Sequence, residues 1–262
     1  MPYSRAVRIV SHTCSNTEIV CALGAGRQLV GVDADSDYPA EAVAPLPKLG
    51  RDLELDVAQV EALRPDLVLT SLTVPGHERI VEALKQAGLP VLVIDPIGLD
   101  GVYDSIAQIA EALGVLNRGR SLIAQMQADM PPVEPRGARP KVLVEWWPKP
   151  VIAPARLSWV NELLRLAGGV NPFEGRDGKS AEVSDAEVQA AAPDAVVMSW
   201  CGVKEDKYRR DVVERRPGWS EVPAVKQGRI YPVTEAFLGR PGPRLVDGYR
   251  LLAEIINGVR VD

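Results

Sequence analysis

Cysteine, histidine and long apolar runs are all scarce in this sequence of 262 residues. Three cysteines are too few for a disulfide framework in a chain of this length. The two histidines, His12 and His77, are too few for a multi-histidine metal site. No apolar run approaches the roughly 18 residues that cross a bilayer, so we expect no membrane insertion.

Basic residues are in the minority, with 30 against 35 acidic residues and a net charge of −5. Because no basic surplus would drive binding to a phosphate backbone, we expect no nucleic acid partner. Residues 1–10 contain no secretory signal, since their apolar stretch is shorter than the required segment of about 7–15 residues. The sequence as it stands predicts a cytoplasmic protein, or a periplasmic or surface protein if an upstream signal was removed.

Motifs for nucleotide binding and hydrolysis are missing as well. There is no G-x-S-x-G, no P-loop and no G-x-G-x-x-G, and Gly24 and Gly26 follow a predicted helix, which is the wrong end for phosphate. We therefore expect a protein that is not an enzyme and has no catalytic cofactor. The alternative is an enzyme that uses Cys14 and His12.

Short apolar strands alternate with helices through the first 100 residues. A capping box of Ser15 and Glu18 is predicted to open the first helix, at 16–23. The alternation predicts an α/β protein with parallel strands. The predicted strands are 7–11, 29–32, 67–70 and 91–94.

An apolar stripe then predicts one long helix from Asp104 to Met130, which Gly114 and Gly119 could kink. Prolines that follow Met130 end this helix. A helix of this length can join two lobes. The predicted parts are an N-terminal lobe at 1–103, a connecting helix at 104–130 and a C-terminal lobe at 131–262.

The second half of the chain repeats part of the first at a constant offset of 128 residues. Residues 56–71 and 184–199 each read as a helix cap, a helix, a Pro-Asp breaker and a buried strand. The repeat predicts two similar Rossmann-like lobes with mostly parallel sheets. Ligands of open parallel sheets lie beyond the carboxyl ends of the strands, so we expect a ligand cleft between the lobes.

The loops predicted at these strand ends hold an unusual share of the five tryptophans. One such tryptophan taken alone more often packs in a core. Trp146 and Trp147 are adjacent, however, and in an extended segment they cannot both point into one core. At least one should face solvent or a ligand. The candidate ligand-binding residues are His12, Thr13, Cys14, Arg51, Thr73, Trp146, Trp147, Trp200, Cys201, Phe237 and Arg240.

Several motifs together resemble the class III substrate-binding proteins that serve ABC importers of vitamin B12, ferric siderophores and haem. The order of the motifs fits that family over nearly the whole chain. Within the family, the sequence is most similar to the cobalamin-binding proteins. The motifs that carry the resemblance are residues 8–11, 15–18, 22–24, 30–32, 37–39, 47–50 and 63–68, and those of the cobalamin group are residues 145–150, 157–160 and 167–169.

The resemblance implies two lobes joined by a rigid helix, with a corrinoid held edge-on between them. It also implies one glutamate on each lobe that docks arginines of an ABC-importer permease. Glu78 matches the first, and Glu205 is proposed as the second. The chain departs from the family's B12 protein at residues 49–51, where that protein has a tryptophan.

We therefore predict a monomeric, non-catalytic binding protein for cobalamin or cobinamide. Aromatic and proline-rich loops suit the faces of a corrinoid, and a few polar groups suit its amides. The alternative ligands are a ferric siderophore, which would require clustered basic residues, and haem, which would require a Tyr or His ligand. We also predict His12 as a ligand of the corrinoid cobalt, against the alternative of a histidine bonded to backbone.

Overall fold

The computed structural model describes residues 7–135 and 137–259, and the chain divides into two compact units. Unit 1 comprises residues 1–96 and 103–125, and unit 2 comprises residues 97–102 and 126–262. Each unit contains a parallel sheet with helices around it. The predicted α/β class with mostly parallel sheets is thereby confirmed.

Unit 1 is built on a four-stranded parallel sheet with the strand order β2-β1-β3-β4. The core on this sheet includes Val10, Val68 and Leu84, all with no exposed surface. The strands are β1 (Ile9–Ser11), β2 (Leu29–Val32), β3 (Leu67–Ser71) and β4 (Val91–Ile94). The helices that begin in the first 125 residues are α1 (Cys14–Ala22), α2 (Ala40–Val43), α3 (Val57–Ala62), α4 (His77–Gln86), α5 (Gly98–Ala112) and α6 (Leu116–Asp129).

The single helix predicted for residues 104–130 is wrong, because α5 and α6 are separate helices. The break lies at Gly114, whose φ of +68° is a left-handed conformation that glycine adopts without strain. Gly119 lies inside α6. A Cβ atom at this position would lie 2.5 Å from the Cβ of Ala110, so the glycine lets α5 and α6 approach closely.

The predicted capping box at the start of α1 is also wrong. The helix begins at Cys14, and the residue before it, Thr13, makes no side-chain capping bond. Ser15 and Glu18 both lie inside the helix and are buried. The capping pattern in the sequence therefore falls two residues too late for the helix that forms.

Unit 2 contains a three-stranded parallel sheet with the order β10-β9-β5 and a three-stranded antiparallel sheet with the order β6-β7-β8. The antiparallel sheet is absent from the sequence-based prediction. The strands are β5 (Val142–Glu145), β6 (Trp147–Pro148), β7 (Val151–Pro154), β8 (Ser180–Val183), β9 (Ala195–Met198) and β10 (Ile230–Pro232). The helices are α7 (Val160–Leu166), α8 (Asp185–Ala191), α9 (Arg210–Glu214), α10 (Pro223–Lys226), α11 (Glu235–Leu238) and α12 (Leu245–Gly258).

The repeat at an offset of 128 residues is reproduced in the secondary structure. Helix α3 begins at residue 57 and α8 at residue 185, while strands β3 and β9 begin at residues 67 and 195. Both helices are capped by a side chain, that of Asp56 on Gln59 N and that of Ser184 on Glu187 N. Ser184 and Glu187 complete the capping box that the sequence predicts.

The Pro-Asp breaker performs the same task in both units. Asp66 accepts a hydrogen bond from the amide of Arg8 at 2.8 Å, and Asp194 accepts one from the amide of Lys141 at 2.8 Å. Arg8 directly precedes β1, and Lys141 directly precedes β5. Each aspartate thus bonds the start of the neighbouring strand, β1 beside β3 in unit 1 and β5 beside β9 in unit 2.

Candidate functional site

The strands of the unit 1 sheet are parallel, so their carboxyl ends lie along one edge. We call this the carboxyl edge of unit 1. Several polar residues at the ends of β1, β2 and β3, or directly after them, have no exposed surface, including His12, Asp33 and Ser71. Buried polar groups are costly unless they are hydrogen-bonded, so their partners define what this edge can do.

His12 has no exposed surface, and both of its ring nitrogens are engaged. Nε2 lies 2.6 Å from the carbonyl oxygen of Asp52, and Nδ1 lies 2.7 Å from Oγ1 of Thr70. Because a carbonyl can only accept, Nε2 carries the proton and Nδ1 accepts from the threonine hydroxyl. Burial lowers the pKa of His12 to about 4, so the ring is neutral at pH 7. This arrangement departs from the predicted cobalt ligand, since it leaves no nitrogen lone pair for a metal.

His77, at the start of α4, packs beside His12 with a distance of 5.1 Å between the ring centroids. Its Nε2 lies 3.6 Å from Oδ2 of Asp52, and its Nδ1 lies 3.4 Å from Oγ of Ser71. The interaction with His77 holds the pKa of Asp52 below its usual value. Asp52 therefore accepts a hydrogen bond from His12 at its backbone carbonyl, while its carboxylate lies near the ring of His77. Sequence reasoning missed His77 and Asp52 at this edge.

Asp33 is another acid at this edge that the sequence did not single out, and it has no exposed surface. Oγ of Ser36 donates to its Oδ1 at 2.5 Å, and the amide of Asp35 donates to its Oδ2 at 3.2 Å. Burial raises the pKa of Asp33 to about 6 despite these bonds. The Sγ atom of Cys14 lies 4.0 Å from Oδ2 of Asp33, which makes the thiol a weak partner of this carboxyl group.

Thr13 lies between these groups in an unusual backbone conformation, with φ +84° and ψ 137°. Positive φ is rare for a β-branched residue and indicates local strain that the surrounding structure must hold. Thr13 is buried and its hydroxyl lies 3.3 Å from that of Ser15. Cys14 is half-buried and opens α1. His12, Thr13 and Cys14 thus all lie at the carboxyl edge, as predicted.

The other unit 1 candidates lie nearer the surface. Arg51 is exposed over 65% of its side chain and lies 3.7 Å from a carboxylate oxygen of Asp35. Thr73 follows β3, with its hydroxyl 3.0 Å from that of Ser71. Glu78 is exposed, and its carboxylate accepts a hydrogen bond from the amide of Gly76 at 2.9 Å. Hydrogen bonds from backbone amides lower the pKa of Glu78. The candidate docking glutamate of unit 1 therefore presents its charge to solvent.

In unit 2, the two adjacent tryptophans follow β5 and differ in exposure. The indole of Trp147 is 44% exposed and donates from Nε1 to the carbonyl oxygen of Lys149. Trp146 is half-buried beside Trp159, with 5.9 Å between the ring centroids. Nε1 of Trp146 is buried and has no hydrogen-bond partner among residues 7–135 and 137–259. The expectation that at least one of the pair faces outward is thus confirmed for Trp147.

Trp200, predicted as a ligand-binding residue, packs in the unit 2 core. Only 4% of its surface is exposed, and its Nε1 donates to Oε2 of Glu145 at 3.2 Å. Glu145 has no exposed surface and also receives the Arg216 guanidinium. Burial raises the pKa of Glu145, and the arginine opposes that shift. Trp200 therefore packs in a core, as a single loop tryptophan more often does.

The remaining unit 2 candidates follow β9 and β10. Cys201 is exposed. Phe237 is half-buried under the guanidinium of Arg244, at 5.6 Å from Cζ to the ring centroid. Arg240 forms a mostly buried ion pair with Glu235 at 2.9 Å. Glu205 is exposed at the start of a short 3-10 turn.

Two absences concern the described residues. Within residues 7–135 and 137–259, no group of three or more His, Cys, Asp or Glu side chains is arranged to hold a metal ion. In the same residues, no helix has both the length and the apolar character that a bilayer crossing requires.

The sequence matches a family model described as periplasmic binding protein over residues 9–236. An uncharacterised ABC transporter substrate-binding lipoprotein of Bacillus subtilis (strain 168) is 33% identical over 258 residues, which are 95% of this chain and 79% of that protein. The vitamin B12-binding protein of Vibrio vulnificus (strain YJ016) is 26% identical, over 93% of this chain and 86% of its own.

Solved structures give the same result. The apo periplasmic heme-binding protein of Roseiflexus sp. RS-1 superimposes with a TM-score of 0.81 at 28% identity, over 96% of this chain and 98% of that chain. The family match covers most of the chain, and the architecture agrees with it. The chain therefore belongs to the periplasmic binding protein family and is a solute-binding protein of the ABC-importer kind.

Proposed function

We propose that this protein binds a corrinoid, cobalamin or cobinamide, through loops at the carboxyl edges of its sheets, without catalysis. The observation that carries the proposal is Trp147. This residue is 44% exposed two positions after the buried strand β5, so a large apolar side chain is left in contact with water. A flat, conjugated ligand with neutral amide edges is suited to such a surface.

The charge at the unit 1 edge supports a ligand that is not an anion. Asp33, Asp35 and Asp52 all lie there, and Arg51 is close to Asp35. An anionic ferric siderophore or the carboxylates of haem would be opposed by this charge, whereas a corrinoid carries neutral amides. The similarity to vitamin B12-binding proteins supports the same choice.

His12 acts in this proposal as a positioning side chain rather than as a cobalt ligand. Ligation would break either the buried hydrogen bond to Thr70 or the part-buried one to the carbonyl oxygen of Asp52. The candidate ligand-binding residues of unit 1 in this proposal are Thr13, Cys14, Arg51 and Thr73. Those of unit 2 are Trp146, Trp147, Cys201, Phe237 and Arg240.

The second candidate ligand is haem, since a heme-binding protein is structurally similar at 28% identity. We further propose that Glu78 and Glu205 dock a permease, because both carboxylates are exposed, one in each unit. The protein acts in this proposal as a periplasmic or lipid-anchored carrier.

Replacement of Trp147 by alanine tests the proposal. We expect a loss of about 1–3 kcal/mol in binding free energy, or about 5- to 150-fold in the Kd for cyanocobalamin, measured by visible absorbance. The matched control is Leu116→Ala, which removes a side chain of similar exposure, 43%, from helix α6. Equal cobalamin affinity in the Trp147→Ala variant and the wild type would place the ligand elsewhere.

A further inference from the structure

One buried guanidinium joins the end of a central strand to the tryptophan loop of unit 2. Arg216 is 8% exposed, and it donates to both carboxylate oxygens of Glu145, the last residue of β5. Nη2 of Arg216, which donates to Oε2 of Glu145, also donates to the carbonyl oxygen of Pro148 at 3.1 Å. Because Arg has donors in a planar fork, it can bridge two acceptors at fixed geometry.

The loop held in this way has little structure of its own. Strand β6 consists of Trp147 and Pro148, which pair with Ile152 and Val151 of β7. Such a short hairpin is marginally stable without further contacts. The indole Nε1 of Trp147 is bonded within the loop, to the carbonyl oxygen of Lys149. Its orientation therefore depends on how the backbone at Pro148 is held.

Arg216 is itself fixed by its surroundings. Its Cζ lies 4.4 Å from the ring centroid of Trp219, which has no exposed surface. Nε1 of Trp219 donates to Asp185 at 2.8 Å, and Trp200 donates to the carboxylate that Arg216 binds. The cation-π contact and these bonds leave the guanidinium little freedom. It can thus act as a rigid clamp rather than as a mobile surface charge.

We propose that Arg216 is a positioning residue of the ligand site, which orders the Trp146–Trp147 loop in advance of binding. The inference rests on the proposed function, since the loop is its main aromatic surface. Because the clamp orders the loop before binding, less conformational entropy is lost when the ligand binds. It does so without touching the ligand.

The test removes the guanidinium without leaving a buried charge. In the double variant Glu145→Gln with Arg216→Met, the amide oxygen of the new side chain can still accept from Trp200. Removal of both charges of a buried pair is far less destabilising than removal of one. We expect the Kd for cyanocobalamin to rise by about 3- to 10-fold, as for loss of order in one or two side chains. Leu116→Ala, which truncates an exposed side chain on α6 away from this ion pair, is the control and should bind as the wild type.

A double-mutant cycle with Trp147→Ala separates positioning from general destabilisation. If Arg216 acts through the tryptophan loop, the double variant should raise the Kd in the wild-type background but leave it unchanged when Trp147 is already alanine. An equal increase in both backgrounds would overturn the proposal. Should the double variant not fold, Arg216→Lys replaces it in the same cycle, because it keeps a positive charge opposite Glu145.

Amide hydrogen exchange provides a readout that needs no ligand. In the variant without the guanidinium, exchange should be faster across residues 146–152 and unchanged in β9. Unchanged exchange in both segments would overturn the clamp even if affinity falls. If the wild type binds neither cyanocobalamin nor haemin, the proposed function fails, and the exchange result alone still decides whether Arg216 orders the loop.

Discussion

His12 and Asp33 are buried at the carboxyl edge of unit 1, and their pKa values are displaced in opposite directions. His12 could be singled out from the sequence because it follows a strand. Its partners could not, since Thr70 and Asp52 lie 58 and 40 residues away. Asp33 was missed because an aspartate in a loop ordinarily faces water. The fold removes both residues from water, and no local pattern reports this.

The two groups should affect stability with opposite sign as the pH changes. Burial lowers the pKa of His12 from 6.5 to about 4, so the unfolded chain binds more protons in that window. The free energy of unfolding then rises with pH, by about 3 kcal/mol between pH 4 and 6.5. Burial raises the pKa of Asp33 from 3.8 to about 6, so the folded chain binds more protons between these values. This group therefore lowers the free energy of unfolding by about 3 kcal/mol as the pH rises from about 4 to 6.

Single substitutions should separate the contributions of His12 and Asp33 to the pH dependence of the free energy of unfolding. In Asp33→Asn, the free energy of unfolding should increase with pH from about 4 to 6 more steeply than in the wild type, because only the histidine contribution remains. In His12→Gln, it should increase less steeply or fall. Urea unfolding at several pH values measures both. Parallel stability profiles for the wild type and the two variants would contradict the assigned pKa shifts.

Two residues in left-handed conformation mark the same point of the repeat. Arg64 has φ +46° and Ala192 has φ +48°, and each follows a repeat helix and precedes a proline. The 128-residue offset thus extends from the sequence to the backbone conformation. The sequence reveals this repeat because caps, breakers and buried strands are local features. It does not reveal the antiparallel sheet of unit 2, since β6 has two residues and no periodicity to detect.

Ala192→Gly tests this interpretation of the repeat. Glycine adopts positive φ without the steric cost that alanine has, so we expect the free energy of unfolding to rise by about 0.5–1 kcal/mol. The matched control is Ala190→Gly, two residues earlier and inside α8, where the change should lower stability by a similar amount. Chemical denaturation compares the two. The same sign for both variants would refute the role assigned to the left-handed position.

At the scale of the whole molecule, the family assignment and the ligand rest on different observations. The order of motifs along the chain sufficed to predict the family, because the motifs lie at strand ends and helix caps that the fold requires. Ligand identity depends on a few side chains instead. Trp147 is exposed, whereas Trp200 packs in the core and donates a hydrogen bond to Glu145. Adjacent tryptophans could be distinguished only once the strand that precedes them was in place.

The most direct test is equilibrium titration of the purified protein with cyanocobalamin, dicyanocobinamide, haemin and a ferric catecholate siderophore. Visible absorbance of the retained ligand after dialysis gives the amount bound. We expect saturable binding of one corrinoid per chain, with a lower Kd than for haemin or the siderophore. Tight binding of haemin or the siderophore, with no retention of either corrinoid, would contradict the proposed function.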